Sequence, residues 1–246
     1  MIKSADEIAK ITKAGVVVRD TLATLRSVVQ PGITTGHIDK LCQDLLKAKG
    51  AFPTCLGYHG FPASICVSTG AEIIHGIPGS RVINQGDLVS LDLAAAVEGY
   101  NADSAITFVV GAPETTPEIA RLLKGTKAAL AAGIAMAKVG NHIGDISNAV
   151  QLVAEANGLA LIPNFGGHGI GKEMHELPYI PNVGLPGTLE LIEEGMVLAI
   201  EPMLLLGLGD FKTLADGWTV VSADNSLSAH FEHTIVVTAA GPVILT

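Results

Sequence analysis

Asp92 and Asp103 are two acids set into otherwise apolar runs. Residues 86–111 read as a β-hairpin turning near Glu98-Gly99. If those two residues form the loop, Val97 pairs with Tyr100 and Ala94 falls opposite Asp103. Alternation along the strands then puts both carboxylates on one face. Two anions side by side in an apolar sheet repel each other and lose hydration, which pushes at least one to take up a proton. A divalent cation removes both penalties. A hairpin at a solvated edge, its acids facing water, is the plainer alternative.

The elements that must position these acids repeat along the chain. Ser4 with Glu7 has the spacing of a capping box, and Ile8, Ile11, Val18, Leu22 and Leu25 follow at helical spacing until Pro31-Gly32. Ile38, Leu41, Leu45 and Leu46 fit a second helix ending at Gly50. Thr116-Pro117 opens a third that runs toward Gly140, and a fourth runs from about Asp145 to Gly158. Gly32, Gly36 and Gly50 recur as Gly140, Gly144 and Gly158, and Gly86 with Asp92 recurs as Gly195 with Glu201. The run Met196 to Glu201 is thus the counterpart of Asp87 to Asp92, and the run Glu232 to Thr238 that of Asp103 to Val110. Each half offers two helices and a pair of strands with one acid on each strand. The expectation is one α/β domain, residues 1–246, of two pseudo-symmetric halves (roughly 1–115 and 116–246), with an antiparallel sheet covered by helices and no N-terminal extension.

Packed face to face, such halves bring Asp92, Asp103, Glu201 and Glu232 to one centre. Four carboxylates match the charge of two divalent ions, and oxygen ligands with some imidazole suit Mn, Fe(II), Co or Zn. Nitrogen can come from His168, set among glycines at 166–171 that allow close backbone approach. His175 and His75 are further candidates, the latter as a donor to a substrate oxygen, and His59 and His233 read as structural.

Composition narrows the class. The 246 residues are 48% hydrophobic and 16% charged, which fits a compact globular protein. A net charge of -9 argues against nucleic acid or an anionic membrane as the main partner. The N-terminus lacks the pattern of a signal peptide, and no apolar run reaches membrane-spanning length, so the expected location is cytoplasmic. Cys42, Cys55 and Cys66 show neither zinc-knuckle nor redox spacing.

Several segments, in order, resemble type I methionine aminopeptidases. They are residues 55–62, His75-Gly76-Ile77-Pro78, Asp92 with Asp103, residues 166–171, Ile200-Glu201-Pro202-Met203 and residues 231–237. The resemblance implies a pita-bread fold and a dinuclear metal site with Asp92, Asp103, His168, Glu201 and Glu232 as ligands. It implies hydrolytic removal of the initiator methionine from nascent polypeptides, with a small second residue preferred. Glu201 would handle the proton of the attacking water, His175 would hydrogen-bond the carbonyl oxygen, and His75 would position the peptide. Tyr58, Phe61, Cys66, Met174 and Trp218 would line the methionine pocket; without the resemblance, all but Trp218 read as core. The chain departs from the family's common pattern at 68–72, at Ala94 and at Met174.

Two rival readings stand beside this one. The first is an Xaa-Pro aminopeptidase or prolidase of the same fold, which usually carries an extra N-terminal domain. The second is a non-catalytic scaffold, against which stand five ligands and two auxiliary histidines. A monomer is the working expectation, and ribosome docking follows from the substrate alone.

Overall fold

The computed structural model describes residues 1–111 and 115–246. Helix α1 (Ala5–Val28) begins where Ser4 and Glu7 close the expected capping box. Helix α2 (Thr35–Ala48) is capped by Thr34, and α3 (Pro117–Met136) by Thr116 with Pro117 in its first turn. Helix α4 (Ile143–Ala156) starts before Asp145. The reason is local: the Asp145 carboxylate accepts from the His142 N–H at 2.7 Å, so this acid sits inside the first turn and closes it from within.

The hairpin pairs Leu88–Val97 with Tyr100–Val109 in the expected register, Val97 opposite Tyr100 and Ala94 opposite Asp103. Its two loop residues both have positive φ, 53° at Glu98 and 77° at Gly99, as a tight turn matching the strand twist requires. One face of the hairpin packs Leu91, Leu93, Ala95 and Ala102 with Ile11, Val18, Leu22 and Leu25 of α1. Alternation leaves Asp92 and Asp103 on the opposite face. In the second half, Leu122 and Leu130 of α3 and Ile146 and Val150 of α4 share a cluster with Leu198, Ile200, Ile235 and Val237. Burial of each large aliphatic side chain contributes ~1.5–3 kcal/mol.

The second strand pair differs from the hairpin. Val197–Ile200 pairs antiparallel with His233–Thr238, His233 opposite Ile200, so Glu201 and Glu232 stand one step outside the ladder. Pro202 has no N–H to continue it. The main strands fall into two blocks. One is the hairpin with Phe52–Pro53 and Cys66–Thr69; the other joins Gly166–Gly169, Glu176–Pro181, Val197–Ile200, His233–Thr238 and Gly241–Ile244. The blocks are stitched at Asp103. Its N–H donates to Thr234 Oγ1 at 2.9 Å, the Thr234 hydroxyl donates to the Asp103 carbonyl at 2.8 Å, and the Glu232 N–H donates to the Ala105 carbonyl at 3.0 Å. Among the described residues no helix is long and apolar enough to cross a membrane.

Candidate metal centre

That seam gathers the acids. Asp92 and Asp103 come from the hairpin, Glu201 and Glu232 from the open end of the second strand pair, and His168 from the neighbouring strand, where it stands opposite Ala199. This strand can close only because Gly167 has no side chain: a Cβ there would lie 2.1 Å from the Ala199 carbonyl oxygen. Ligand atoms of Asp103, His168 and Glu232 all lie within 4.8 Å of one another. His168 Nε2 stands 3.7 Å from Glu201 Oε1.

Burial governs the charge state of the cluster. It pushes Glu201 up to about 8 and, with the charge of Glu201 added, Asp103 up to about 7. Asp92 and Glu232 are raised by burial and by Asp103. His168 is held down to about 3 by burial and by His175, so its imidazole is neutral. Its Nδ1 lies 2.9 Å from the Gly169 carbonyl, to which an N–H donates, which leaves the Nε2 lone pair free.

These residues suit divalent cations. Asp103 Oδ1 and Glu232 Oε1 are buried and lack a hydrogen-bond partner among the described residues. Acceptors in that state await a cation or a donor. Four carboxylates and a neutral imidazole form an oxygen-rich donor set for hard to borderline divalent ions.

Two cavities adjoin here. The larger, about 470 Å³, is lined by His75, Asp92, Asp103, His168, His175, Glu201 and Glu232, and also by Asn164, Phe165 and Tyr179. The smaller, about 260 Å³, is lined by Tyr58, Phe61, Cys66, Met174 and Trp218. His75, Asp92, Asp103 and His175 line both. Every residue nominated from the sequence thus faces one cavity or the other. Phe61 and Trp218 meet edge to face, ring centroids 5.1 Å apart, and Trp218 approaches His75 at 6.0 Å. His75 itself adopts a φ of 60°, a left-handed conformation that a residue with a side chain keeps only where the surrounding structure holds it. The Tyr58 hydroxyl lies 2.8 Å from His175 Nδ1, and burial lowers the His175 pKa.

Some neighbours were not nominated from the sequence. Cys55 lines the smaller cavity, as does His59, which reads as structural in the sequence, and His230 places Nε2 3.5 Å from Glu201 Oε2. His230 precedes Glu232 by two residues, the spacing that puts two side chains on one face of an extended segment; that signal was available. His233, by contrast, has Nδ1 2.9 Å from Thr246 Oγ1.

Residues 9–239 match Metallopeptidase family M24. The chain is 45% identical to the methionine aminopeptidase of Clostridium acetobutylicum, over all of this chain and 98% of that protein. It is 42% identical to methionine aminopeptidase 1 of Bacillus subtilis, over 99% and 98%. The crystal structure of methionine aminopeptidase from Thermotoga maritima superposes with a TM-score of 0.97 at 40% identity, covering 100% of this chain and 98% of that one. A prolidase from Pyrococcus furiosus shares the fold at 23% identity, TM-score 0.79, with 65% of its length covered. The mixed helices and antiparallel strands are thus those of the pita-bread fold. With a family match over nearly its whole length and relatives above 40% identity end to end, the chain belongs to metallopeptidase family M24, among the relatives named methionine aminopeptidase.

Proposed function

We propose that this chain hydrolyses the first peptide bond of polypeptides that begin with methionine, in a metal-dependent reaction that prefers a small second residue. The observation that carries the reading is the junction of a buried carboxylate cluster with an apolar pocket, in a chain that matches methionine aminopeptidases over its full length. Asp92, Asp103, His168, Glu201 and Glu232 would hold two divalent ions, drawn from Co(II), Mn(II), Fe(II) or Zn(II). Ions held there supply Lewis acidity that activates water and polarises a carbonyl.

The residues divide the remaining work. Tyr58, Phe61, Cys66, Met174 and Trp218 accept the methionine side chain, whose flexible thioether suits a soft apolar slot. Asp92 and Asp103 line both cavities, so the free amine of a residue seated in the pocket arrives beside carboxylates. This restricts cleavage to the first residue. Glu201 takes the proton from the attacking water and delivers it to the leaving amine. If the Tyr58 hydroxyl donates to His175 Nδ1, the neutral ring keeps its hydrogen on Nε2 and donates it to the carbonyl oxygen as charge develops there. His75, between the cavities, positions the scissile amide.

The wider setting follows from the substrate. The chain acts as one catalytic domain of two halves, a cytoplasmic monomer that meets nascent N-termini near the ribosome. Its net charge of -9 disfavours direct contact with nucleic acid or anionic membranes. The test is release of free methionine from a Met-Ala-Ser peptide, run beside an Ala-Pro peptide, on chelated protein with and without Co(II) or Mn(II). Metal-restored methionine release, abolished by Asp103→Ala, is the expected result. Cleavage of the proline peptide alone would transfer the substrate to that of prolidases.

A further inference from the structure

His230 is a buried imidazole to which the reaction above assigns no task. It is 1% exposed, and its Nε2 has no hydrogen-bond partner among the described residues. That atom lies 3.5 Å from Glu201 Oε2, while Glu201 Oε1 lies 3.7 Å from His168 Nε2. The two oxygens of one carboxylate therefore face two different imidazoles. His168 turns a lone pair toward the centre, because its Nδ1 is engaged with the Gly169 carbonyl. Against an ionised Glu201, the form that ligates a cation, a hydrogen on Nε2 is the arrangement compatible with Oε2 at that distance.

The backbone holds His230 at this spot. Its N–H donates to Thr107 Oγ1 at 2.8 Å, and its carbonyl accepts from the same hydroxyl at 2.7 Å. Strand Ser228–His230 pairs so that His230 stands opposite Met203, two residues past Glu201. Thr107 lies on the strand that carries Asp103, so one threonine ties the placement of His230 to the hairpin.

We propose that His230 is a positioning residue for Glu201: its Nε2–H binds Glu201 Oε2 and so presents Oε1, beside His168 Nε2, to a cation. The inference rests on the metal reading given above. Carboxylates that ligate metals are themselves held by hydrogen bonds, and losing such a partner weakens metal affinity by about 10–100-fold. A side chain that merely fills space here would leave that affinity unchanged when replaced by another of similar size.

Chelator-stripped wild type, His230→Gln and His230→Leu are titrated with Co(II) by isothermal calorimetry. The Leu variant should bind about 10–100-fold more weakly. The Gln variant, whose amide can still donate, should stay within about threefold of wild type. Equal affinity in wild type and the Leu variant overturns the inference, as does a Gln variant as weak as the Leu one. If wild type takes up no Co(II), the metal reading falls and the inference falls with it. Should the Leu variant not fold, as judged by circular dichroism, His230→Ala takes its place in the same comparison.

Discussion

Removing one acid from the cluster of the chelated protein should stabilise the fold while destroying its function. Asp103 titrates near 7 in the folded, metal-free chain, against 3.8 as its ordinary value, because burial and the Glu201 charge disfavour its ionised form. Below pH 4 the carboxyl is protonated in both folded and unfolded chains and carries no penalty. Between pH 4 and 7 the folded chain holds a proton that the unfolded chain has released, so this group's contribution to stability falls as pH rises, and its penalty is complete above 7. A shift of about three units corresponds to roughly 4 kcal/mol as a ceiling. Water reaching the cavity screens the cluster and leaves about half of that, ~2 kcal/mol. Asp103→Asn removes this penalty with nearly the same shape. For a chain of this size 1 kcal/mol moves the melting temperature by about 2–4 °C. The chelated variant should therefore melt about 4–8 °C above chelated wild type at pH 8, and the gap should shrink to about 1.5–3 °C at pH 5. Added Co(II) should raise the wild-type melting temperature and do much less for the variant. Differential scanning fluorimetry at the two pH values reads all three effects. A variant that melts at or below wild type at pH 8, without metal, refutes the electrostatic account of the cluster.

Three further outcomes are expected. His175→Ala should lower kcat about 10²–10³-fold with little change in KM or Co(II) affinity, since it removes a donor to a developing oxyanion; a pure KM effect in steady-state kinetics would contradict this. Trp218→Ala opens the wall formed with Phe61 and should lower kcat/KM for a Met-Ala-Ser peptide about 10–100-fold, from ~1.5–3 kcal/mol of lost apolar contact, with metal binding intact. Gly167→Ala forces a methyl group to 2.1 Å from the Ala199 carbonyl oxygen and should destabilise the protein by about 3 kcal/mol, read as a lowered denaturant midpoint; wild-type stability would mean that the His168 strand is not packed this closely.

Local chemistry wrote much of this protein into its sequence. Ser4 with Glu7, and Thr116 before Pro117, are capping signals that need only neighbours in the chain, and helices begin at both. Glu98-Gly99 sets a two-residue turn, and a two-residue turn sets the register that puts Asp92 and Asp103 on one face. Both inferences rest on fixed periods and short-range sterics, so nothing distant can alter them. The glycine spacing of the two halves likewise marked Glu201 and Glu232 as counterparts of the first two acids.

Tertiary structure decided what the acids do together. Period and turn type say which face of a strand an acid occupies, and say nothing about which strand lies beside it. The bond between the Asp103 N–H and Thr234 spans 131 residues, and it is this seam that sets Glu232 against the hairpin. Glu201 and Glu232 stand outside their ladder because Pro202 ends it, a detail that matters only once the partner strand is in place. The pocket at Phe61 and Trp218, and the imidazole of His230 against Glu201, exist only after both halves close, since each joins side chains with no shared local period. Short-range physics thus determined the parts and their faces, and long-range packing determined that four acids share one space, where distance and scant water no longer keep them apart.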